Sequence, residues 1–81
     1  MPAKTYFIVQ QYEKRGRRLV AGRQLPFNTA AEASARADRD ADRFAGVVAV
    51  QQTVDIETGE VLDEPVVLAR HGELPREFAE D

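Results

Sequence analysis

The sequence predicts a single α+β domain in which a four-stranded, mainly antiparallel sheet carries one helix on one face. Three observations support this fold class. Segments rich in β-branched and aromatic residues lie on both sides of one segment with helical periodicity. Polar turns containing glycine separate the strands of each pair, and no linker divides the 81 residues. The predicted order is β-β-α-β-β, with the domain at 1–73 and a polar C-terminal tail at 74–81.

The N-terminal third is predicted to form a β-hairpin. The segment TYFIVQQYE, Thr5 to Glu13, has the composition of a strand. The cluster KRGR supplies a glycine-containing turn, and RLVAGRQL, Arg18 to Leu25, returns as the second strand. Gly22 indicates a bulge or the end of that strand, and Pro26 keeps the residue before it extended.

The helix is the clearest element in the sequence. Thr29 and Glu32 form the capping-box pattern at its start. We expect the helix to run from Ala30 to about Ala45, with Gly46 in the left-handed stop position. At 100° per residue, one stripe of the helix is almost entirely alanine, so its backbone is expected to lie close to the sheet. The stripe consists of Ala30, Ala33, Ala37, Ala41 and Phe44.

The C-terminal half is predicted to supply two further strands. The first runs from Gly46 to Ile56 and the second, shorter one from Val66 to Arg70. The turn ETGE follows the first of them, and Pro65 argues against a central strand in the connection.

Apolar runs in three of the strands place apolar side chains on both faces of the sheet, because successive residues of a strand alternate in direction. One helix covers one face. The other face needs either the tail, through Leu74 and Phe78, or a second copy of the chain. The candidate residues for such an interface are Tyr6, Ile8, Val47 and Ala49.

Charge is distributed unevenly behind the formal net charge of -3. Residues 1–28 contain six basic side chains against Glu13 alone, whereas residues 47–81 contain nine acids against two arginines. The interpretation that we favour is that the two halves lie near each other and neutralise one another. The alternative is that the basic half binds an acidic partner such as nucleic acid.

The basic residues of the first hairpin are the candidate nucleic-acid contacts, because a two-stranded ribbon can engage phosphates. They are Lys14, Arg15, Arg17, Arg18 and Arg23. A second group, Arg36, Arg39 and Arg43 on the helix, has Glu32 and Asp40 at helical spacing. These five residues predict a salt-bridged, solvent-exposed helix face.

The sequence predicts no catalytic residue, no metal ligand and no cofactor, and we do not expect an enzyme. His71, the single histidine, is expected to be solvated, and the acidic segment DIETGEVLDE lacks the spacing of a calcium loop. Cysteine is absent. The apolar run at Tyr6–Val9 is too short for a signal peptide or a membrane span, so we expect a cytoplasmic protein.

The segments FNTAAEA, FAGVVAV, DIETGEV and EPVVLARHGELP resemble a group of short bacterial proteins of unknown function with hairpin-helix-hairpin order. The resemblance covers most of the chain and implies a fold, without catalytic residues. The function that the sequence favours is a small non-enzymatic binding or adaptor protein that acts through protein–protein contacts, either with another protein or as a homodimer. The alternative is nucleic-acid binding through the first hairpin.

Overall fold

The computed structural model describes residues 2–76 and Phe78. Its strands are β1 (Ala3–Arg15), β2 (Arg18–Phe27), β3 (Gly46–Asp55) and β4 (Val66–Gly72), and its helix α1 spans Ala30–Asp40. All neighbouring strands are antiparallel and form one sheet in the order β2-β1-β3-β4. The predicted α+β fold class and the order β-β-α-β-β are therefore confirmed.

One face of the sheet, the helix face, packs against α1. Val9 of β1 and Val47 and Ala49 of β3 meet Ala33 and Ala37 of the helix, and all five are 0% exposed. Alanine lets the helix lie close to the sheet because its side chain adds little thickness. The predicted alanine stripe is thus the packing surface of α1.

The opposite face, the tail face, has a second apolar cluster. Tyr12, Val48 and Val50 are buried there, and Leu74 and Phe78 pack against them. Of the two covers that the sequence allows for this face, the structure shows the tail in place over part of it. These two tail residues are therefore packed against the domain, while Glu77 and residues 79–81 lie outside the described residues.

The helix begins as predicted and ends earlier than predicted. The Glu32 amide donates to the Thr29 hydroxyl at 3.1 Å, and that hydroxyl contacts the Glu32 carboxylate at 3.2 Å, which satisfies the helix start. The helix ends at Asp40 rather than near Ala45, because the chain must reverse there to enter β3. The Asp40 carbonyl accepts from the amides of Arg43 and Phe44, at 2.9 and 3.2 Å, and closes this turn.

Two glycines allow the tail to cross the start of β3. Gly46 is the first residue of β3 and does not have the left-handed conformation that the sequence predicts for it. A Cβ atom on Gly46 would overlap the Glu73 carbonyl oxygen, and one on Gly72 would overlap that of Ala45. Gly72 also has φ of 72°, which turns the chain toward the tail face. The Glu73 amide then donates to the Ala45 carbonyl at 2.9 Å.

Candidate functional site

The β1–β2 hairpin projects beyond the rest of the sheet. β3 pairs with β1 only as far as Tyr12, opposite Gly46, whereas β1 and β2 stay paired up to Arg15, opposite Arg18. Gly16 closes the hairpin with φ of 63°, as the first position of a type II′ turn requires. The side chains of the tip are exposed, so solvent surrounds the end of the ribbon.

Four of the five predicted nucleic-acid contacts lie on this tip, and one of them is engaged. The Lys14 ammonium donates to both carboxylate oxygens of Glu73, at 2.9 and 3.1 Å. In the part of the chain that the structure describes, no ion pair involves Arg15, Arg17 or Arg18. The tip therefore presents three uncompensated guanidinium groups to solvent.

The fifth residue, Arg23, lies away from the tip, at a β-bulge. Opposite the step from Gln10 to Tyr12, β2 contains one residue more than β1. The Gln10 side-chain amide donates hydrogen bonds to the backbone of this bulge. Its acceptors are the carbonyls of Gln11, Gly22 and Arg23, at 2.9, 3.1 and 3.3 Å. The bulge predicted from Gly22 is therefore present, and the buried amide of Gln10 satisfies its backbone.

Arg23 lines a depression of about 310 Å³ between the bulge and the C-terminal end of α1. We call it the arginine depression, because two arginines from the helical segment line it as well. Its lining residues are Gln11, Glu13, Gly22, Arg23, Arg36, Asp40, Arg43 and Phe44. One arginine of the hairpin group and two of the helix group, which are far apart in the sequence, thus meet at one place.

Asp40 forms the buried floor of this site. It is 3% exposed, and it accepts hydrogen bonds from Gln11 Nε2 at 2.8 Å and from Arg36 Nε at 3.0 Å. Burial alone would raise the pKa of Asp40. The hydrogen bonds from Gln11 and Arg36, with the charges of Arg36 and Arg43, outweigh burial and hold this pKa below its ordinary value. Asp40 is therefore a carboxylate that fixes Arg36 in place.

The sequence-based prediction of a solvent-exposed face was wrong at Asp40, although the Arg36–Asp40 pair is present at the predicted spacing. A signal was available in the periodicity. At about 100° per residue, Asp40 falls within about 20° of Ala33 and therefore lies at the edge of the buried stripe, next to Arg36. A charged residue at such a position indicates a paired, buried carboxylate.

The acidic residues of the segment 55–64 lie at the other end of the molecule from the hairpin tip. Asp55 pairs with Ala3, at the opposite end of β1, and residues 55–64 contain five acids and no base. The longest dimension of the molecule is 44 Å. Among the described residues, Lys14–Glu73 is the single ion pair between the basic and acidic halves. The mutual neutralisation that we favoured from the sequence is therefore limited to that pair.

The acidic segment is an ordered loop. The carboxylate of Asp55, 6% exposed, accepts from the amide of Glu57 at 2.8 Å and from that of Thr58 at 3.4 Å. The Asp55 amide donates to the Glu60 carbonyl at 2.8 Å, and Val61 bridges to Val54 of β3. The loop therefore has a defined backbone conformation, consistent with the predicted turn.

Four large apolar side chains are exposed on or beside this loop. Their exposed fractions run from 37 to 56%, and they are the large exposed apolar residues found in the described part of the chain. Acidic side chains are interspersed with them along the sequence. We call this region the acidic loop surface; its apolar members are Ile56, Val61, Leu62 and Val66.

The four residues predicted for an interface do not share one surface. Val47 and Ala49 are 0% exposed beneath α1, so neither can contact a partner. Ile8 lies on the tail face, where it lines a depression of about 250 Å³ beside Phe78. Tyr6 is half-buried and lies beneath Lys4, whose ammonium is 5.2 Å from the ring centre. The prediction failed for Val47 and Ala49 because the helix covers the odd-numbered residues of β3.

His71 is half-buried rather than fully solvated, and it has an acidic neighbour. Its Nε2 atom lies 2.8 Å from Asp38 Oδ1, without the alignment of a hydrogen bond. His71 lines none of the depressions described above.

Neither a metal cluster nor a membrane-spanning helix is found in residues 2–76 and 78. No group of three or more His, Cys, Asp or Glu side chains is placed there to hold a metal ion. The helix is also too short and too polar to cross a membrane.

Comparison with known proteins gives no assignment. No protein-family model, no curated protein and no solved structure matches the chain. The resemblance to short bacterial proteins of unknown function therefore stays a prediction.

Proposed function

We propose that the protein is a non-enzymatic adaptor that binds another protein through the acidic loop surface. The observation that carries this proposal is that the large exposed apolar side chains of the described residues all lie between Ile56 and Val66, on or beside a loop with a defined backbone. Exposed apolar side chains concentrated in one segment are typical of interaction sites. The proposed compartment is the cytoplasm, supported by the lack of cysteine.

Charge indicates the kind of partner. The apolar residues of the surface are interspersed with four exposed acids, Glu57, Glu60, Asp63 and Glu64. Such a surface complements a partner that combines apolar side chains with lysine or arginine, and it disfavours acidic partners. The ordered backbone favours binding, since little loop entropy is lost when the surface is covered.

The test is to compare partners of the wild-type chain with those of the triple variant Ile56→Ser, Val61→Ser and Val66→Ser. Partners captured by the wild-type chain would be purified, and their affinities measured by calorimetry. We expect the triple variant to bind at least about tenfold more weakly. Arg15→Gln, at the other end of the molecule, is the control and should bind normally. Equal affinity of the triple variant and the wild type would refute the proposed surface.

A second candidate function is nucleic-acid binding through the hairpin tip. It is supported by the three uncompensated arginines on a ribbon that extends into solvent. Phosphate contacts release counterions, so the affinity for labelled DNA or RNA should fall steeply between about 50 and 200 mM salt. Fluorescence anisotropy with the variant Arg15→Gln, Arg17→Gln and Arg18→Gln should show no binding. Absence of binding by the wild type at low salt would eliminate this candidate.

A further inference from the structure

The arginine depression gathers cations from separate parts of the chain. Arg23 comes from the β2 bulge, Arg36 from the last turns of α1, and Arg43 from the turn that follows the helix. Guanidinium groups match the oxygens of a phosphate in geometry as well as in charge. Against these three cations the depression has two carboxylates, Glu13 and Asp40, so the lining has one excess positive charge.

The buried carboxylate orients one of these cations. Asp40 holds the Nε atom of Arg36 at 3.0 Å and is itself held by Gln11 at 2.8 Å. Within residues 2–76 and 78, the Arg36 side chain donates a hydrogen bond only through Nε, and the guanidinium groups of Arg23 and Arg43 have no hydrogen bond or ion pair. They are therefore available to a ligand. A donor that is already held in place loses less entropy on binding.

The depression also has an aromatic wall. Phe44 packs partly against the helix-face core, and its remaining surface lines the depression. Aromatic rings beside arginines form a stacking surface for nucleobases. The volume of about 310 Å³ lies at the lower end of the range for small-molecule sites, roughly 300–1,000 Å³.

We propose that the arginine depression binds a nucleoside monophosphate, either free or as the 5′-phosphorylated end of a nucleic-acid strand. The arginines contact the phosphate and Phe44 contacts the base. This site is separate from the hairpin tip and from the acidic loop surface, so the inference does not rest on either proposed function. If Arg43 acted solely by complementing the negative C-terminal end of α1, its removal would change stability without changing ligand binding.

The experiment is an NMR titration of the full ¹⁵N-labelled chain with adenosine 5′-monophosphate, and separately with adenosine and with inorganic phosphate. We expect adenosine 5′-monophosphate to shift the backbone signals of Gly22, Arg23 and Phe44. Adenosine should bind at least about tenfold more weakly, because it lacks the phosphate. Shifts confined to the hairpin tip, equal binding of adenosine, or no binding would each overturn the proposal.

Matched variants identify the contacts. Arg23→Gln and Arg43→Gln alter exposed side chains and should each weaken binding of adenosine 5′-monophosphate by at least about tenfold. Arg39→Gln, at an exposed position of α1 outside the lining of the depression, makes the same change in charge and should leave the affinity unchanged. Thermal unfolding of each variant checks that the fold is retained. An unchanged affinity in both depression variants would overturn the proposal.

Oligonucleotides distinguish the two sources of the ligand and separate this site from the hairpin. If the ligand is a strand end, a 5′-phosphorylated strand should bind more tightly than the same strand with a 5′-hydroxyl, and Arg23→Gln should remove the difference. If the ligand is a free nucleotide, Arg23→Gln should weaken binding of the mononucleotide, and the two strands should bind equally. Loss of strand binding in the hairpin triple variant, with nucleotide binding retained, would support two independent sites.

Discussion

Asp40 lies in the buried stripe of α1, where an unpaired carboxylate would be strongly destabilising. The hydrogen bonds from Gln11 and Arg36 compensate for its burial. Its place on the stripe could be predicted from helical spacing alone. Its partner could not be, because Gln11 lies 29 positions away and meets it only through the packing of α1 on β1.

At the scale of the single residue, we predict that Asp40→Ala destabilises the protein. The substitution leaves the buried amide of Gln11 without its acceptor and Arg36 without its partner, at a cost of about 1–3 kcal/mol. The free energy of unfolding in urea measures the effect. Asp42→Ala, at an exposed position two residues on, is the control and should stay within about 0.5 kcal/mol of wild type. Equal values for the two variants would contradict the structural role of Asp40.

Asp40 also predicts how stability depends on pH. Its pKa in the folded state is lowered, so the unfolded state takes up a proton first as pH falls. Its contribution is present above the unfolded value of about 3.9 and is lost as pH falls through the lower folded value. The stability difference between wild type and Asp40→Asn should therefore be largest near neutral pH and shrink in acid. A difference that stays constant with pH, measured by thermal unfolding, would argue against the lowered pKa.

At the scale of elements, the strands and the helix start could be predicted from the sequence, because their signals are local. Thr29 and Glu32, which together cap the start of α1, are only three residues apart, and Gly22 marks a bulge within its own strand. The helix end could not be predicted in this way. It is set by the entry into β3, and Gly46 is required by a carbonyl of the tail rather than by the helix.

Because the tail crosses β3 at Gly72, we predict that an alanine substitution costs more stability there than at Gly59. Gly59→Ala places a side chain at φ of 78° with nothing within 4 Å, so strain alone opposes it, at about 1–3 kcal/mol. Gly72→Ala meets the same strain at φ of 72° and also overlaps the Ala45 backbone. We expect Gly72→Ala to be the more destabilising variant in urea unfolding. Similar losses of unfolding free energy in both variants would show that the backbone at the crossing shifts easily enough to relieve the overlap.

At the scale of the whole molecule, the sequence did not determine what covers the tail face. The apolar runs of the strands predicted that both faces carry apolar side chains, but they could not decide between the tail and a second copy of the chain as the cover. The structure places Leu74 and Phe78 against Tyr12, Val48 and Val50. The turn at Gly72 directs the chain onto this face, and such a turn has no signature apart from the glycine itself.

We therefore predict that removing the cover promotes self-association. The double variant Leu74→Ser and Phe78→Ser exposes the apolar residues of the tail face, so its average mass in sedimentation should rise with protein concentration. The wild-type chain should remain monomeric over the same range. Ile56→Ser, which changes an exposed apolar residue elsewhere, is the control. A double variant that stays monomeric and keeps wild-type stability would show that these side chains are not a cover.

The separation of charge along the molecule also bears on cooperativity. The basic hairpin tip and the acidic loop lie at opposite ends of a molecule 44 Å long, whereas the Debye length at physiological ionic strength is about 8 Å. Neither end experiences much of the other's field. Ligands at the two ends should therefore bind with additive free energies, and a ternary complex should form without either partner changing the affinity of the other. At low salt the same arrangement is an electric dipole, which would turn the hairpin toward a polyanion before contact.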